Sequence, residues 1–340
     1  MRFSYLAAAF AGLLTAGAAH AQTQVRIGYI PVLGTSQVFV AAHEGYLKEG
    51  GLEPRFIAFE SGPAMISALA SGTLDVYVAG VAPLAVARSK GVEVKVVAST
   101  AIEEMTVVAG AKLAPYFKAG VAPAQALKDF RAANGKPARL ATQPPGSVPH
   151  TTLNHWLFEV AKADKADVEI ITMGIDATQQ AVLAAAVEGA TLREPAVTVS
   201  IQRDPRLKIV ALGGQMFPKQ PGTVVAVSGG FLKAPDAVQT IVNGVVRADA
   251  LIAKDPQKAA TPIEAALGKG LIDKDTILKA LASPATRFAV DPRAIADSTR
   301  DMQAYQVRLG TLDKEYPLEG LFDASYFDKA AAKYPSGRGK

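Results

Sequence analysis

The sequence predicts an α/β fold of two lobes, each a mostly parallel sheet flanked by helices. Three observations carry this prediction: short apolar runs that end at glycine, proline or hydroxyl residues, helical segments of similar length between them, and a second round of the same alternation from residue 139 onward. Strands that alternate with helices of this length pair in parallel, with helices on both faces of the sheet.

The first lobe is predicted to begin with four strands separated by three helices. Its predicted strands are 25–30, 54–59, 75–79 and 93–98, and its predicted helices are 36–46, 64–70 and 83–90. A hydroxyl residue opens the first helix as its cap, and glycines follow the first two helices. Where each strand ends, small and polar residues leave backbone donors available to a ligand.

The second lobe repeats the scheme. Its predicted strands are 139–142, 168–173, 190–192 and 207–212, and its predicted helices are 151–163 and 176–187. SGTLDVYVAGVAP in the first half aligns with AAAVEGATLREP in the second, so that Asp75 and Glu188 each precede a short strand. Segments 105–110 and 222–228 are predicted to cross between the lobes, and the chain reads as helical after Pro235.

The N-terminus indicates the compartment. Residues 1–21 carry Arg2, an apolar run over 6–19 and small residues at Ala19 and Ala21, the pattern of a cleaved secretory signal peptide. The apolar run is shorter than the roughly 20 residues that span a bilayer. The chain has no cysteine, which excludes disulfides, thiolate nucleophiles and a lipid-bearing cysteine. We therefore expect a periplasmic protein without a direct membrane anchor.

Charge gives weaker information about partners. The net charge is +5 at pH 7, and the lysines and arginines are scattered along the chain. We expect no nucleic-acid partner, because a nucleic-acid surface needs clustered basic residues. The positive balance serves solubility or the attraction of anions.

Several of these segments together resemble the nitrate/sulfonate/taurine-type family of periplasmic solute-binding proteins of ABC importers. The resemblance covers nearly the whole chain beyond the signal peptide and rests on the order and spacing of Gly28, Pro31, GYLKEGGL at 45–52, SGP at 61–63, SGTLD at 71–75 and AGVAP at 79–83. It implies a periplasmic-binding-protein type II fold with the helical C-terminal region packed on lobe 1. The implied domains are a signal peptide at 1–21, lobe 1 at 22–105 plus 226–340, and lobe 2 at 106–225.

Candidate ligand-binding residues lie in the loops that follow the strands. They are Thr35, Ser36, Gln37, Ser61, Gly62, Gly80, Val81, Ser147, Val148, His150 and Glu194. Hydroxyls and backbone amides at helix starts suit an anion. Ordinary helix capping explains Ser36 equally well, a plain turn would also use Ser61 and Gly62, and His150 is either a donor or a solvated loop residue.

Glu194 matches the family's glutamate-proline pair. Its carboxylate would accept from a ligand amine or hydroxyl, orient Arg193 or bridge the lobes on closure. The family usually has glycine and aspartate at the positions of Ala185 and Glu188, which places the tightness of the preceding turn in question. We expect no metal, no cofactor and no catalytic residues. The histidines are not spaced as metal ligands, and the chain contains neither a GxSxG nor an HExxH signature.

The resemblance implies a monomeric receptor that delivers a small solute to the permease and ATPase subunits of an ABC importer. A sulfonate or taurine-like anion is the first expectation, and nitrate, bicarbonate, aromatic carboxylates and thiamin-precursor pyrimidines are alternatives. A ligand-sensing partner of a membrane receptor would use the same cleft. A secreted enzyme is the third and least favoured class, because no nucleophile with an adjacent base is evident.

Overall fold

Two five-stranded sheets organise the chain in a computed structural model that describes residues 22–268 and 270–335. The signal peptide expected at 1–21 lies outside the described residues. In chain order the strands are β1 (Thr23–Tyr29), β2 (Leu52–Ala58), β3 (Val76–Gly80), β4 (Val94–Ser99), β5 (Thr106–Ala109), β6 (Ala138–Thr142), β7 (Val168–Thr172), β8 (Gly189–Leu192), β9 (Lys208–Leu212) and β10 (Thr223–Ser228).

The two sheets have the same topology. Their orders are β2-β1-β3-β10-β4 and β7-β6-β8-β5-β9. In each, the first three strands are parallel, and the strand that arrives from the other lobe is antiparallel to both neighbours. These arriving strands, β10 and β5, need no helical crossover because they enter their sheet directly from the hinge. The mostly parallel two-lobed fold is confirmed.

Both segments predicted to cross between the lobes are central strands of the sheet that they enter. β10 pairs with β3 and β4 over its whole length. The lobe boundary expected between residues 225 and 226 falls inside this strand. Lobe 1 is used below for the sheet that contains β1 and lobe 2 for the sheet that contains β6.

Helices cover both faces of each sheet. They are α1 (Ser36–His43), α2 (Gly62–Ala70), α3 (Ala82–Ser89), α4 (Pro123–Asn134), α5 (Val148–His155, continued by a π-helical turn at Trp156–Val160), α6 (Ile175–Leu183), α7 (Ala196–Arg203), α8 (Gly213–Met216), α9 (Pro235–Lys254), α10 (Pro256–Leu267), α11 (Lys274–Leu281), α12 (Ala296–Arg308) and α13 (Ser325–Lys333). α4, α7 and the short α8 were not predicted from the sequence patterns.

Two helices of the cleft begin earlier than predicted. α2 starts at Gly62 and α5 at Val148, because Ser61 and Ser147 are their N-caps. A proline follows each cap within the first turn, where its missing N–H costs no hydrogen bond. This shift brings both helix starts to the carboxyl edges of the sheets.

The C-terminal helices pack on lobe 1, as the resemblance implies. Val238, Val242 and Val245 of α9 are buried in one cluster with Val38 and Phe39 of α1. α12 also reaches lobe 2: the Tyr305 ring lies 5.0 Å from the His155 ring of α5. The tail therefore contacts both lobes.

One ion pair of the same form lies in each lobe. Arg26 on β1 donates to Asp75 through its backbone N (2.8 Å), Nε (2.9 Å) and Nη2 (2.6 Å). Arg139 on β6 donates to Glu188 through the same three atoms at 3.0, 3.1 and 3.1 Å. The partners are 49 residues apart in both pairs, which supports the internal repeat detected in the sequence.

Among the described residues, none of the helices has the length and apolar character that a membrane span requires.

Candidate binding cleft

The two lobes are closed on each other. Leu33 N–H of lobe 1 donates to the Glu194 carbonyl of lobe 2 at 2.7 Å, and Ile175 N–H of lobe 2 donates to the Glu60 carbonyl at 3.1 Å. The C-terminal region adds a third link, from Thr276 Oγ1 to the Gln202 side-chain oxygen at 3.2 Å. Direct contacts between the lobes thus hold the closed arrangement.

A cavity lies between the lobes at the ends of the strands, and we call it the cleft chamber. It is lined by Ile30, Gly62, Gly80 and Pro83 from lobe 1 and by Gln143, Ser147, Val148, Pro149 and Arg193 from lobe 2. Its free volume is about 10 Å³, which is room for about one water. Val148 narrows it: a Cβ placed on Gly80 would lie 2.7 Å from Val148 Cγ2.

Three helices direct their N-termini to the cleft chamber. Gly62 is the first residue of α2, Pro83 lies in the first turn of α3, and Val148 is the first residue of α5. The partial positive charge of a helix start favours an anion by about 0.3 to 1 kcal/mol per helix. Pro63, Pro83 and Pro149 have no N–H, and the N–H groups of Ala64, Leu84 and His150 are already bonded. The backbone donors for a ligand are therefore the first residues of the helices, Gly62, Ala82 and Val148.

The serine caps keep donors available. Ser61 Oγ accepts from Ala64 N at 3.3 Å, and Ser147 Oγ accepts from His150 N at 3.3 Å. A hydroxyl that accepts in this way still has its own proton to donate. Ser147 lines the cleft chamber, and Ser61 directly precedes the lining residue Gly62.

Arg193 is the charged residue of this chamber. It is 4% exposed, and its Nε has no hydrogen-bond partner. Its Nη1 lies 3.4 Å from Glu104 Oε1, which also accepts from Thr223 Oγ1 at 2.6 Å. A guanidinium cannot be neutralised by deprotonation, and an unpaired buried donor is costly. Arg193 therefore offers a cation with an unused donor at the chamber wall.

Glu194 belongs to a different cavity. That cavity also has about 10 Å³ of free volume and is lined by Leu33, Gly34, Ala101, Glu104, Glu194, Ala285, Thr286, Arg287 and Phe288. The Glu194 carboxylate accepts from Thr198 N at 3.0 Å and Thr198 Oγ1 at 2.9 Å. Burial raises the pKa of Glu194 despite hydrogen bonds from Ser283 and Thr198. Its carboxylate caps α7 and bonds to the C-terminal region, while its carbonyl bonds to lobe 1.

The expected loop at residues 35–37 is occupied by contacts within lobe 1. Thr35 Oγ1 donates to the Val32 carbonyl at 2.7 Å. Gln37 Nε2 donates to the Thr100 carbonyl at 3.1 Å and lies 3.5 Å from Asp249 of α9. Ser36 is fully buried, and its Oγ has no partner. None of the three side chains lines the cleft chamber.

Val81 and His150 flank the chamber without lining it. Val81 is buried in the core, and its N–H donates to the Gly222 carbonyl at 3.1 Å. His150 Nε2 lies 3.4 Å from Asn154 Nδ2, and burial lowers the pKa of His150. A neutral imidazole follows near pH 7, so His150 adds no charge to the cleft.

The structure thus brings together Gly62, Gly80, Ser147 and Val148 of the expected set. It adds Gln143 and Arg193, which the sequence analysis did not select as ligand-binding residues. The internal repeat contained the missing signal, because the alignment of the two halves places Arg193 at the position of Gly80. Among the described residues, no group of three histidines or acids is arranged to hold a metal ion.

A family model described as the NMT1-like family matches residues 18–266. No curated protein sequence matches the chain.

Solved structures with a similar fold are solute-binding proteins. The periplasmic nitrate-binding protein of Synechocystis PCC 6803 has a TM-score of 0.76 at 14% identity, with 92% of this chain and 89% of that one covered. The ligand-binding component of an ABC-type import system from Staphylococcus aureus has a TM-score of 0.73 at 16% identity, covering 91% and 99%. The periplasmic aliphatic sulphonate-binding protein of Escherichia coli has a TM-score of 0.67 at 17% identity, covering 89% and 99%. At these identities the likeness shows a shared fold.

Proposed function

Because this chain belongs to the NMT1-like family and has the fold of ABC-import solute-binding proteins, we propose that it is the solute-binding component of an ABC importer. Its solute is a small organic anion that is held in the cleft chamber between the two lobes. An organosulfonate is the first candidate.

The observation that carries this proposal is the placement of Arg193 against three helix N-termini. The Arg193 Nε has no protein partner, and the edge of a guanidinium that contains Nε can bind two oxygens of one acid group. Ser147 and the first turns of α2, α3 and α5 supply further donors on both sides of the cleft. A single acid group therefore contacts both lobes.

The arrangement of these donors favours an acid group with several oxygens. A sulfonate presents three oxygens in a pyramidal arrangement to the guanidinium, the hydroxyls and the helix starts, whereas a carboxylate presents two and nitrate presents three that lie in one plane. Nitrate, bicarbonate, aromatic carboxylates and thiamin-precursor pyrimidines are the alternatives. Three to five charge-assisted hydrogen bonds, at about 1.5 to 3 kcal/mol each, give about 4.5 to 15 kcal/mol, a range that includes micromolar binding at about −8 kcal/mol after ordering costs.

Lobe closure is the mechanical part of the function. A free volume of about 10 Å³ is smaller than any of these solutes, so the bound form closes less far, with the acid group between Val148 and Gly80. A solute that touches both lobes shifts the open–closed equilibrium by its difference in affinity for the two states. The closed form with solute bound is then the one that the permease recognises.

The same proposal places the protein in the periplasm with a permease and an ATPase as partners. We propose no enzymatic role, since Ser147 Oγ accepts from the His150 backbone as a helix cap. A sensor role uses the same cleft with a different docking partner. Loss of solute uptake in a deletion strain supports import, and intact uptake with lost signalling supports the sensor.

The test is a thermal-shift screen followed by calorimetry on the solutes that raise the melting temperature. Sulfonates, nitrate, bicarbonate, aromatic acids and pyrimidines are compared, because any ligand of the native form stabilises it by mass action. We expect organosulfonates to give the largest shift. Arg193→Met together with Glu104→Gln is expected to abolish it, whereas Arg206→Met on the exposed surface of lobe 2 is expected to leave it unchanged. Equal shifts in both variants would contradict the proposed site.

A further inference from the structure

Helix α12 of the C-terminal region carries a buried glutamine that lies between the two lobes. Gln306 is 0% exposed. Its Nε2 donates to the Ala82 carbonyl of lobe 1 at 3.5 Å and to the Gly146 carbonyl of lobe 2 at 3.4 Å. An amide nitrogen has two protons, so one side chain serves a carbonyl in each lobe. Gln306 is therefore a direct link between the lobes.

The same contacts fix the orientation of the Gln306 amide. With Nε2 and Oε1 exchanged, an acceptor would face two carbonyl acceptors. The Oε1 has no hydrogen-bond partner, and an unpaired buried acceptor is costly. Both hydrogen bonds are longer than the usual range of about 2.7 to 3.2 Å. The amide is thus shared by the two lobes instead of pairing closely with either.

The two carbonyls belong to the helix starts at the cleft chamber. Ala82 is the first residue of α3, and Gly146 precedes Ser147, the N-cap of α5. The N–H groups of Ala82 and Val148 are two of the backbone donors available to a ligand there. Each carbonyl lies within two residues of one of these donors, along a backbone of planar peptide units. A side chain that holds both carbonyls therefore also sets the spacing between donors of opposite lobes.

The C-terminal region is attached to lobe 1, so the contacts of α12 with lobe 2 are contacts between lobes. β4 is an edge strand of the lobe 1 sheet. Val96 N–H of β4 donates to the Leu321 carbonyl at 2.7 Å, and Asp323 N–H donates to the Val96 carbonyl at 2.9 Å. Because of these bonds, we expect α12 to stay with lobe 1 and to part from lobe 2 when the cleft opens.

Two weaker contacts between α12 and lobe 2 lie beside the glutamine. The Tyr305 ring is 5.0 Å from the His155 ring, and Arg308 Nη1 is 3.5 Å from Glu159 Oε1. Glu159 lies in the π-helical turn that continues α5, and such turns often occur at functional positions. The ion pair is largely exposed and contributes little. The buried amide of Gln306 carries more of the attachment, since water is excluded from it.

We propose that Gln306 is a positioning residue that holds the two lobes together in the ligand-free protein and sets the spacing of their backbone donors at the cleft chamber. The second part rests on the proposed function, whereas the first requires no solute. A glutamine side chain has several rotatable bonds. Its Nε2 can therefore stay near both carbonyls at the slightly wider separation that a bound acid group requires.

Gln303 on the same helix provides a matched control. It is 2% exposed, and its Oε1 accepts from Tyr316 N at 2.9 Å, within the C-terminal region. Gln303→Met therefore makes the same chemical change one turn away and removes no bond between the lobes. Methionine has a volume similar to that of glutamine, and Gln306→Met also removes the unpaired Oε1. We expect both variants to fold, which melting curves verify, and Gln306→Leu is the second variant at this position.

The experiment measures lobe closure without a solute. The chain has no cysteine, so two introduced cysteines carry spin labels at defined positions. Lys48→Cys on lobe 1 and Lys128→Cys on α4 of lobe 2 replace exposed residues. Double electron–electron resonance then gives the ratio of closed to open molecules. Gln306→Met is expected to lower this ratio about tenfold, the contribution of two hydrogen bonds, and Gln303→Met to leave it within twofold.

Calorimetry with ethanesulfonate measures the effect on the cleft chamber. A solute that binds between the lobes must then close them without the Gln306 link, and a smaller closed population lowers the apparent affinity. Gln306→Met is expected to lower the affinity at least about threefold. Gln303→Met is expected to leave it within twofold.

The outcomes separate this inference from the proposed function. An unchanged closed-to-open ratio in Gln306→Met, an equal fall in both variants, or an unsubstituted protein that is open without solute would overturn the inference. A lower ratio with unchanged ethanesulfonate affinity would keep the link between the lobes and overturn the positioning of the donors. If ethanesulfonate does not bind the unsubstituted protein, the sulfonate assignment fails, and the resonance ratio still decides the role of Gln306.

Discussion

The Arg26–Asp75 pair of lobe 1 and the Arg139–Glu188 pair of lobe 2 occupy equivalent places in two sheets of identical strand order. The first pair joins β1 to the segment before β3, and the second joins β6 to the segment before β8. Five residues after each acid, at the cleft, lobe 1 has Gly80 and lobe 2 has Arg193. The repeat keeps the same ion pair within each sheet and differs at the cleft, where one lobe presents bare backbone and the other a cation.

This comparison separates residues that build the lobes from residues that bind. The paired positions give matched variants, since the same kind of change can be made in either lobe. The ion pairs should affect stability and leave affinity unchanged. The cleft positions should affect affinity in different ways, through charge at Arg193 and through space at Gly80.

The largest effect is expected from Arg193→Met. Removing the cation leaves Glu104 buried without its charged partner, which costs about 3 to 5 kcal/mol of unfolding free energy. Adding Glu104→Gln should recover part of that stability but no binding, with a loss of affinity of at least about 100-fold. Urea denaturation and calorimetry measure the two effects. Retained affinity in the double variant would remove Arg193 from the site.

A substitution at Gly80 is expected to weaken ligand binding by steric hindrance. Gly80→Ala places a methyl group 2.7 Å from the position of Val148 Cγ2, in the space between Gly80 and Val148 where the acid group is proposed to bind. We expect about a tenfold loss of affinity, measured by calorimetry, with little loss of stability. Adding Val148→Ala should restore most of it. A Gly80→Ala protein that binds normally would show that the acid group does not lie between Gly80 and Val148.

The two ion pairs should differ in strength according to burial. The Glu188 side chain is 1% exposed and that of Asp75 is 16% exposed. Hydrogen bonds to charged groups contribute more where water is excluded, so Glu188→Gln should cost about 2 to 3 kcal/mol and Asp75→Asn about 1 to 2 kcal/mol. Urea denaturation measures both. A larger loss of unfolding free energy for Asp75→Asn than for Glu188→Gln would contradict this order.

The same pairs set the acid side of the stability profile. Burial alone would raise the pKa of Asp75 and of Glu188, but hydrogen bonds from Arg26 and Arg139 outweigh it, so both pKa values are lowered. Their contribution is present above the ordinary carboxyl pKa of about 4 and is lost as the pH falls through the lowered values. The double variant Asp75→Asn/Glu188→Gln should show a flatter decline below about pH 4. An unchanged decline in melting curves from pH 2 to 7 would contradict this.

The smallest effect concerns the turns before the acids. Gly72 has φ +71° and Ala185, at the equivalent place, has φ +53°, a conformation that costs an L-residue about 1 kcal/mol. Ala185→Gly should therefore raise the unfolding free energy by about 0.5 to 1 kcal/mol, and Gly72→Ala should lower it by about 1 kcal/mol. No atom lies within 4 Å of a Cβ at Gly72, so packing does not interfere. If both variants had the same unfolding free energy as the unsubstituted protein, the turns would carry no strain.

Much of the fold follows from sequence patterns, because glycine turns and short apolar runs mark the strands of both lobes. The antiparallel direction of β5 and β10 does not follow from these patterns, because strand direction depends on which lobe the chain enters and not on local residue types. α4 was not predicted either, although Pro123 is suited to its first turn. Gly62, Gly80 and Ser147 could be predicted from their place after strands.

The charged residue of the site could not be chosen from local sequence. Arg193 and Glu194 are neighbours, and only the end of β8 decides that one lines the cleft chamber and the other the cavity beside Leu33. The hydroxyl of Thr35 and the amide of Gln37 are suitable donors by type, but long-range partners such as Thr100 occupy Gln37. Residue type gives the capacity to bind, and tertiary contacts decide where that capacity is used.

The central claim is that an acid group binds between the lobes at Arg193. A crystal structure of the complex with the tightest sulfonate from the screen tests it most directly. We expect acid oxygens within hydrogen-bond distance of Arg193 Nε and of the first turns of α2 or α5. An acid group bound beside Glu194 or outside the cleft, with Arg193 Nε still unpaired, would contradict it.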